Sequence, residues 1–214
     1  MQWYRLALGG AFGGAGAGGS PNSDWLSDDY RMALVTSVYT PNADVDDFWN
    51  DVVANEAAGT GYTANGLTLT SKALTYTAAN SWGVQWVAAT AYGGANNQYI
   101  RPTSANGYIY RATAAGTSHA TTEPTWPTVI GATVTDNTLT WTCIGRGAWV
   151  WDNADPSWAG LTLAFRYGVV YNRTPATDAT RPLLCYEDFG AQSLTAQTFT
   201  VQIHPQGLLI IPMA

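Results

Sequence analysis

Apolar and polar positions alternate along much of this chain, with the period of strands rather than helices. The longest run is Leu161, Leu163, Phe165, Tyr167, Val169 and Tyr171, interleaved with Thr162, Ala164, Arg166, Gly168 and Val170. It predicts one strand with its large residues turned inward. Met32 to Tyr39 is apolar and β-branched and runs into Pro41-Asn42, so it predicts a short strand closed by a turn. Between Gly66 and Thr77 the phase changes: Leu67 and Leu69 occupy one parity, Leu74 and Tyr76 the other. That predicts two strands with a turn or bulge at Ser71-Lys72. Further strands are predicted at Trp82 to Ala89, Ala148 to Trp151, Pro182 to Phe189, Thr198 to His204 and Leu208 to Ile211.

One stretch has a helical period. Asp44 or Asp46 can cap a helix whose acidic first turn suits the positive end of the dipole, Phe48, Val52 and Val53 lie on one face, and Gly59 and Gly61 stop it. The fold class that follows is mainly β: an antiparallel, sandwich-like domain with one short α-helix.

Residues 90 to 147 differ in character. Short β-runs (QYIRP, GYIYRAT, EPTWP, TLTWTCIG) are separated by turn residues, and Asp136-Asn137 predicts a hairpin between GATVT and TLTWT. Tyr108 and Tyr110 share one face of a predicted strand, Ile109 and Arg111 the other. The flanks, Val84 to Ala89 and Ala148 to Trp151, are both strand-like and suited to pair, so the block reads as an insertion into a hairpin connection. The expected organisation is a glycine-rich arm at 1–23, a discontinuous host domain at 24–89 and 148–214, and a small inserted all-β module at 90–147.

Composition changes the picture in one direction. With 46% hydrophobic and only 11% charged residues, the surface must be covered by Thr, Ser, Asn, Gln, Gly and aromatics, which favours a subunit of an assembly over a lone monomer. A net charge of −6 argues against a nucleic-acid binder, and no apolar run approaches the roughly 20 residues that span a bilayer. Residues 6 to 19, LALGGAFGGAGAGG, carry little side chain to pack, so the arm is expected to be fixed on a neighbouring subunit. Trp3, Tyr4, Phe12 and Trp25 are the candidate subunit-contact residues.

Candidate chemistry is sparse. Cys143 and Cys185 allow one disulfide or two buried thiols, the latter being the simpler reading in a reducing compartment. Two cysteines exclude a cysteine-based four-ligand zinc site, and His119 and His204 are isolated, so no metal or other cofactor is expected. Asp44, Asp46, Asp47 and Asp51 suit helix capping and lack EF-hand spacing. Glu123, Asp136, Glu187 and Asp188 are the carboxylates a glycosidase would draw on, but their spacing pairs no two of them, and no Gly-x-Ser-x-Gly elbow is present. The expectation is a non-enzyme. Ten Trp and twelve Tyr are the louder signal, since such side chains suit both sugar stacking and subunit interfaces. Tyr108, Tyr110, Trp126 and Trp141 form a candidate sugar platform with Arg111 as its hydrogen-bonding edge. The same aromatics are also the natural core of a module of roughly 55 residues. Trp126, between Pro124 and Pro127, is the best placed for exposure.

Two sets of motifs carry a resemblance. The order VTSVYTPN, acidic residues, an aromatic, DVVANE and GTGYTANGLTL resembles a family of small tailed-bacteriophage virion proteins, and the likeness resumes at 161–190 with LTLAFRYGVVYNRTPATDATRPLLCYEDFG. Within the insert, YIRPTSANGYIYRATAAGTS, EPTWP and GATVTDNTLTWTCIG are similar to an aromatic-rich, carbohydrate-binding-like module of phage fibres, spikes and other virion proteins. The resemblance implies a capsid decoration or cement protein on the phage head, with an outward-projecting insert. Its partners would be the major capsid protein and copies of itself, a homotrimer at threefold positions. The alternative it implies is a tail or fibre component whose insert binds host-surface carbohydrate.

Overall fold

The computed structural model describes residues 2–4, 24–82, 84–93, 99–204 and 207–213. They form the strands β1 (Gln2–Trp3), β2 (Tyr30–Val35), β3 (Leu67–Thr68), β4 (Ala73–Ala78), β5 (Ala91–Tyr92), β6 (Tyr99–Ile100), β7 (Ile109–Ala112), β8 (Gly116–Thr117), β9 (Thr133–Asp136), β10 (Leu139–Gly145), β11 (Gly147–Asp152), β12 (Ser157–Asn172), β13 (Leu183–Thr200) and β14 (Leu209–Pro212). Every ladder between these strands is antiparallel, so the fold is mainly β as the alternation predicts. Among the described residues no helix is long and apolar enough to cross a membrane.

The chain divides into two compact units, Met1–Lys72 with Asn153–Ile203 and Ala73–Asp152 with His204–Ala214. These boundaries differ from those expected at 89/90 and 147/148. The reason is long-range pairing: β11 takes β4 on one side and β14 on the other, which draws residues 73–78 and the C-terminal strand into the same unit as the insert.

The first unit is built on a five-stranded sheet in the order β1-β13-β12-β2-β3. Its spine is β12, whose residues Leu161, Leu163, Phe165, Tyr167, Val169 and Tyr171 are all buried, as their alternation requires. Tyr167, Val169 and Tyr171 pack with Ala33, Val35 and Leu183 in one core, and Trp49 stacks on Tyr171 at 4.2 Å and 6°. β13 runs unbroken through residues where two separate strands are predicted. Gly190 (φ 69°) and Ala196 (φ 51°) lie inside it, and the β12–β13 register shifts several times, so irregularities are absorbed while the ladder continues.

The predicted α-helix after Pro41 is absent. Two 3-10 turns stand there, Trp49–Asp51 and Val53–Asn55. The segment is pinned at both ends, by bridges Phe48 to Pro182 and Glu56 to Val35, which leaves room only for single turns. The acidic residues still cap, at different atoms: Asp51 Oδ2 accepts the N–H groups of Asp47 and Phe48. Trp49 and Val52 supply the buried face, not Phe48.

In the second unit the four-stranded sheet β6-β7-β10-β9 and the three-stranded sheet β14-β11-β4 share a core around Ala79, Trp82, Ile109 and Ala148, a sandwich-like arrangement. The two-stranded sheet β5-β8 is separate. The predicted hairpin is present, with Asp136 paired to Leu139 and Asn137, at φ 57°, in its two-residue turn. Among its described residues, Trp82 to Ala89, predicted as a strand, makes only an isolated bridge, Gln85 to Arg101, and does not pair with Ala148 to Trp151. Its tryptophans serve as anchors instead: Trp82 Nε1 donates to the Tyr99 carbonyl at 2.8 Å, and Trp86 Nε1 to Asp136 Oδ2 at 2.8 Å.

Candidate functional site

The aromatic residues expected to form a sugar platform are mostly core. Tyr110 and Trp141 are 0% exposed, packed with Trp86, Tyr92, Ile100 and Leu139. Their polar tips are also occupied. Tyr110 Oη donates to the Pro127 carbonyl at 2.8 Å and sits 2.7 Å from Asn106 Nδ2, and burial pushes its hydroxyl up to about 12. Trp141 Nε1 donates to Asp136 Oδ2 at 3.0 Å. Trp126 is half-buried, its ring 4.5 Å from Tyr110 and 5.9 Å from Trp141, and its Nε1 donates to Glu123 Oε1 at 2.8 Å. Tyr108 is half-buried under the Arg146 guanidinium, which lies 5.0 Å from its ring and donates to its hydroxyl. Only Arg111 is exposed. These five residues therefore do not make a common open platform: a module this small spends its aromatics on its own core.

Three of the four carboxylates considered for hydrolysis, Asp136, Glu123 and Asp188, have structural duties. Asp136 is buried, and its two oxygens accept the indole N–H groups of Trp86 and Trp141 and the backbone N–H of His119. Glu123 Oε1 accepts Trp126 and the Thr103 backbone. Asp188 forms a bidentate pair with Arg166 on the surface, and the guanidinium holds its carboxyl below the usual range. In the acidic stretch, Asp46 Oδ2 accepts the Tyr39 hydroxyl and the Asn42 backbone. Among the described residues no three His, Cys, Asp or Glu side chains cluster as metal ligands. Cys143 and Cys185 are free, buried thiols, and burial pushes Cys185 up to about 12.

Of the expected subunit-contact residues, Tyr4 and Trp25 are buried within their own chain. Gln2 and Trp3 pair with Tyr186 and Cys185 of β13, and the Tyr4 N–H donates to the Leu184 carbonyl, so the start of the arm finds a partner in its own chain. Phe12 and the rest of residues 5–23 lie outside the described residues.

Elsewhere in the second unit two aromatic side chains, Tyr76 and Trp149, are exposed. On the three-stranded sheet of the second unit, Trp149 faces Tyr76 across the ladder and Trp151 faces Leu74, so these four apolar side chains share one side. The other side of β11, Ala148 and Val150, packs into the core with Ile210, Ile109 and Ala79. Trp149 is 38% exposed and Tyr76 47%, with ring centroids 5.5 Å apart at 56°. Gly147 makes room for this arrangement, since a Cβ there would lie 2.5 Å from the Tyr76 hydroxyl. On β11 the small Ala148 and Val150 turn toward the core, while Trp149 on the opposite parity is exposed and Trp151 half-buried. Sequence alternation registered Leu74 and Tyr76 but gave no role to Trp149 and Trp151. The signal was there, in two tryptophans at i and i+2 with Ala148 and Val150 on the opposite parity.

No protein family, curated protein or solved structure matches the chain.

Proposed function

We propose that this chain is a non-enzymatic structural subunit of a tailed-phage virion, of the capsid decoration or cement type, and that it works by burying apolar surface against neighbouring polypeptides. The motif resemblance supports the virion station, with the major capsid protein and further copies of the chain as partners. The observation that carries the mode of action is the uncharged face Leu74, Tyr76, Trp149 and Trp151, presented by a sheet whose other side is already in a core.

Magnitudes favour an array over an isolated pair. Aromatic side chains of this kind bury roughly 150–250 Å² each, so the open parts of Tyr76 and Trp149 amount to roughly 200 Å². Covering them contributes about 5 kcal/mol at most, while bringing two molecules together costs about 4–15 kcal/mol. One such contact holds little by itself. Repeated over a lattice that already fixes its neighbours, each added contact is nearly intramolecular and the sum is strong.

The tail-fibre alternative, with a glycan-binding insert, is weaker because Tyr110 and Trp141 are closed to a ligand and Arg146 covers Tyr108. The test is rebinding of purified protein to particles from which it has been stripped. The Tyr76→Ser/Trp149→Ser double variant is expected to keep the native unfolding midpoint and lose at least tenfold in binding. Native rebinding by that variant, or a glycan array with specific hits and no particle binding, would sink the reading.

A further inference from the structure

The N-terminal strand docks as a plug. Two residues pair in register, Gln2 with Tyr186 and Trp3 with Cys185, and the Tyr4 N–H donates to the Leu184 carbonyl at 3.1 Å. Tyr4 is then wholly buried in the core that holds Ala33, Val35 and Trp49. Its ring lies 5.5 Å from that of Tyr186, its hydroxyl 2.9 Å from the Tyr39 hydroxyl, and Tyr39 donates to Asp46 Oδ2 at 2.7 Å. The receptor for this plug is thus made entirely by β13 and the elements beside it.

The tether is far longer than this docking needs. β1 and β2 belong to one sheet with only β13 and β12 between them. Three strand spacings make about 14 Å, which half a dozen extended residues can cover. Residues 5–23 add a glycine-rich stretch whose contour would reach about 65 Å if fully extended. A compact unit of this size is about 30–35 Å across. The surplus length therefore allows the plug to reach the equivalent receptor on an adjacent copy.

We infer that β1 exchanges between copies, the Gln2–Tyr4 plug of one chain seating on β13 of the next. The contacts are the same in either arrangement, so exchange costs little beyond the choice of partner. A tether of this length gives its own receptor an effective concentration of about millimolar, so exchange competes once the chains themselves reach about that concentration. The inference concerns association between copies and does not rest on the virion assignment.

The register supplies a direct test. Because Tyr4 donates to Leu184, the Trp3–Cys185 pair is the non-hydrogen-bonded kind, with Cα atoms about 4.5 Å apart, within disulfide reach. Chains carrying Trp3→Cys with Cys185→Ala are mixed with native chains at about millimolar total concentration under mild oxidation, so that only docking in trans can join residue 3 to Cys185. Exchange predicts a covalent dimer of one chain of each kind, at least tenfold over anything either chain forms alone. Removal of residues 1–4 is expected to lower self-association by a similar factor in sedimentation. The inference is overturned if Trp3→Cys closes onto Cys185 of its own chain and the mixed dimer never forms. It is equally overturned if the truncated chain associates as the full chain does.

Discussion

Asp136 shows how far one side chain can reverse its expected role. As the residue before Asn137 in a hairpin it reads as turn chemistry, and as a carboxylate it reads as a candidate acid. In the structure it is a buried acceptor joining three segments, Trp86, Trp141 and His119. Nothing in the local pattern signals this, because two of its donors lie 50 and 17 residues away. Replacing it with alanine strands three N–H donors in a closed core, and each lost partner costs about 1–3 kcal/mol. Asp136→Ala is expected to destabilise the second unit by about 3 kcal/mol or more in urea titrations followed by tryptophan fluorescence, with Asp136→Asn, which keeps one acceptor, falling between. A loss under about 1 kcal/mol would show that the indoles find other partners. The same reasoning explains the glycan residues. Tyr110 and Trp141 were recognisable as important aromatics, but composition cannot say which side of a small module they face.

At the scale of elements, local alternation was a good guide wherever one face of a strand is buried. Residues 161–171 are the clear case. It failed where tertiary anchoring replaced a ladder, as in Trp82 to Ala89, and where bulges let one strand continue through an apparent break, as at Gly190 and Ala196. The expected helix failed for a third reason. Bridges at Phe48 and Glu56 fix both ends of that stretch to the sheet, and propensity yields to them. Its stopping glycine, Gly59, has a separate duty beside β12. A Cβ there would lie 2.3 Å from the Thr162 carbonyl oxygen and 2.7 Å from Leu163 Cβ, in the central strand of the first unit. Gly59→Ala is therefore expected to cost about 1–3 kcal/mol through forced displacement of β12. An unchanged unfolding midpoint would mean that the 57–66 loop can lift off the strand at no cost.

For the molecule as a whole, β-architecture was legible and its partition was not. Which strands join β11 is decided by pairing between residues about 70 and about 60 apart along the chain, and no window of sequence contains that information. The consequence matters for function. The sheet made by this pairing is the one that leaves Tyr76 and Trp149 in the open, so the surface proposed to act in assembly exists only once distant segments have met. The charge-poor composition then acquires a location: an aromatic pair, Tyr76 and Trp149, exposed on one sheet. Hydroxyl-radical footprinting of the free chain and of the assembled particle, read by mass spectrometry at these two side chains, addresses that proposal most directly. The account predicts ready oxidation of Tyr76 and Trp149 in the free chain and at least fivefold protection in the particle. Equal oxidation in both states would contradict it.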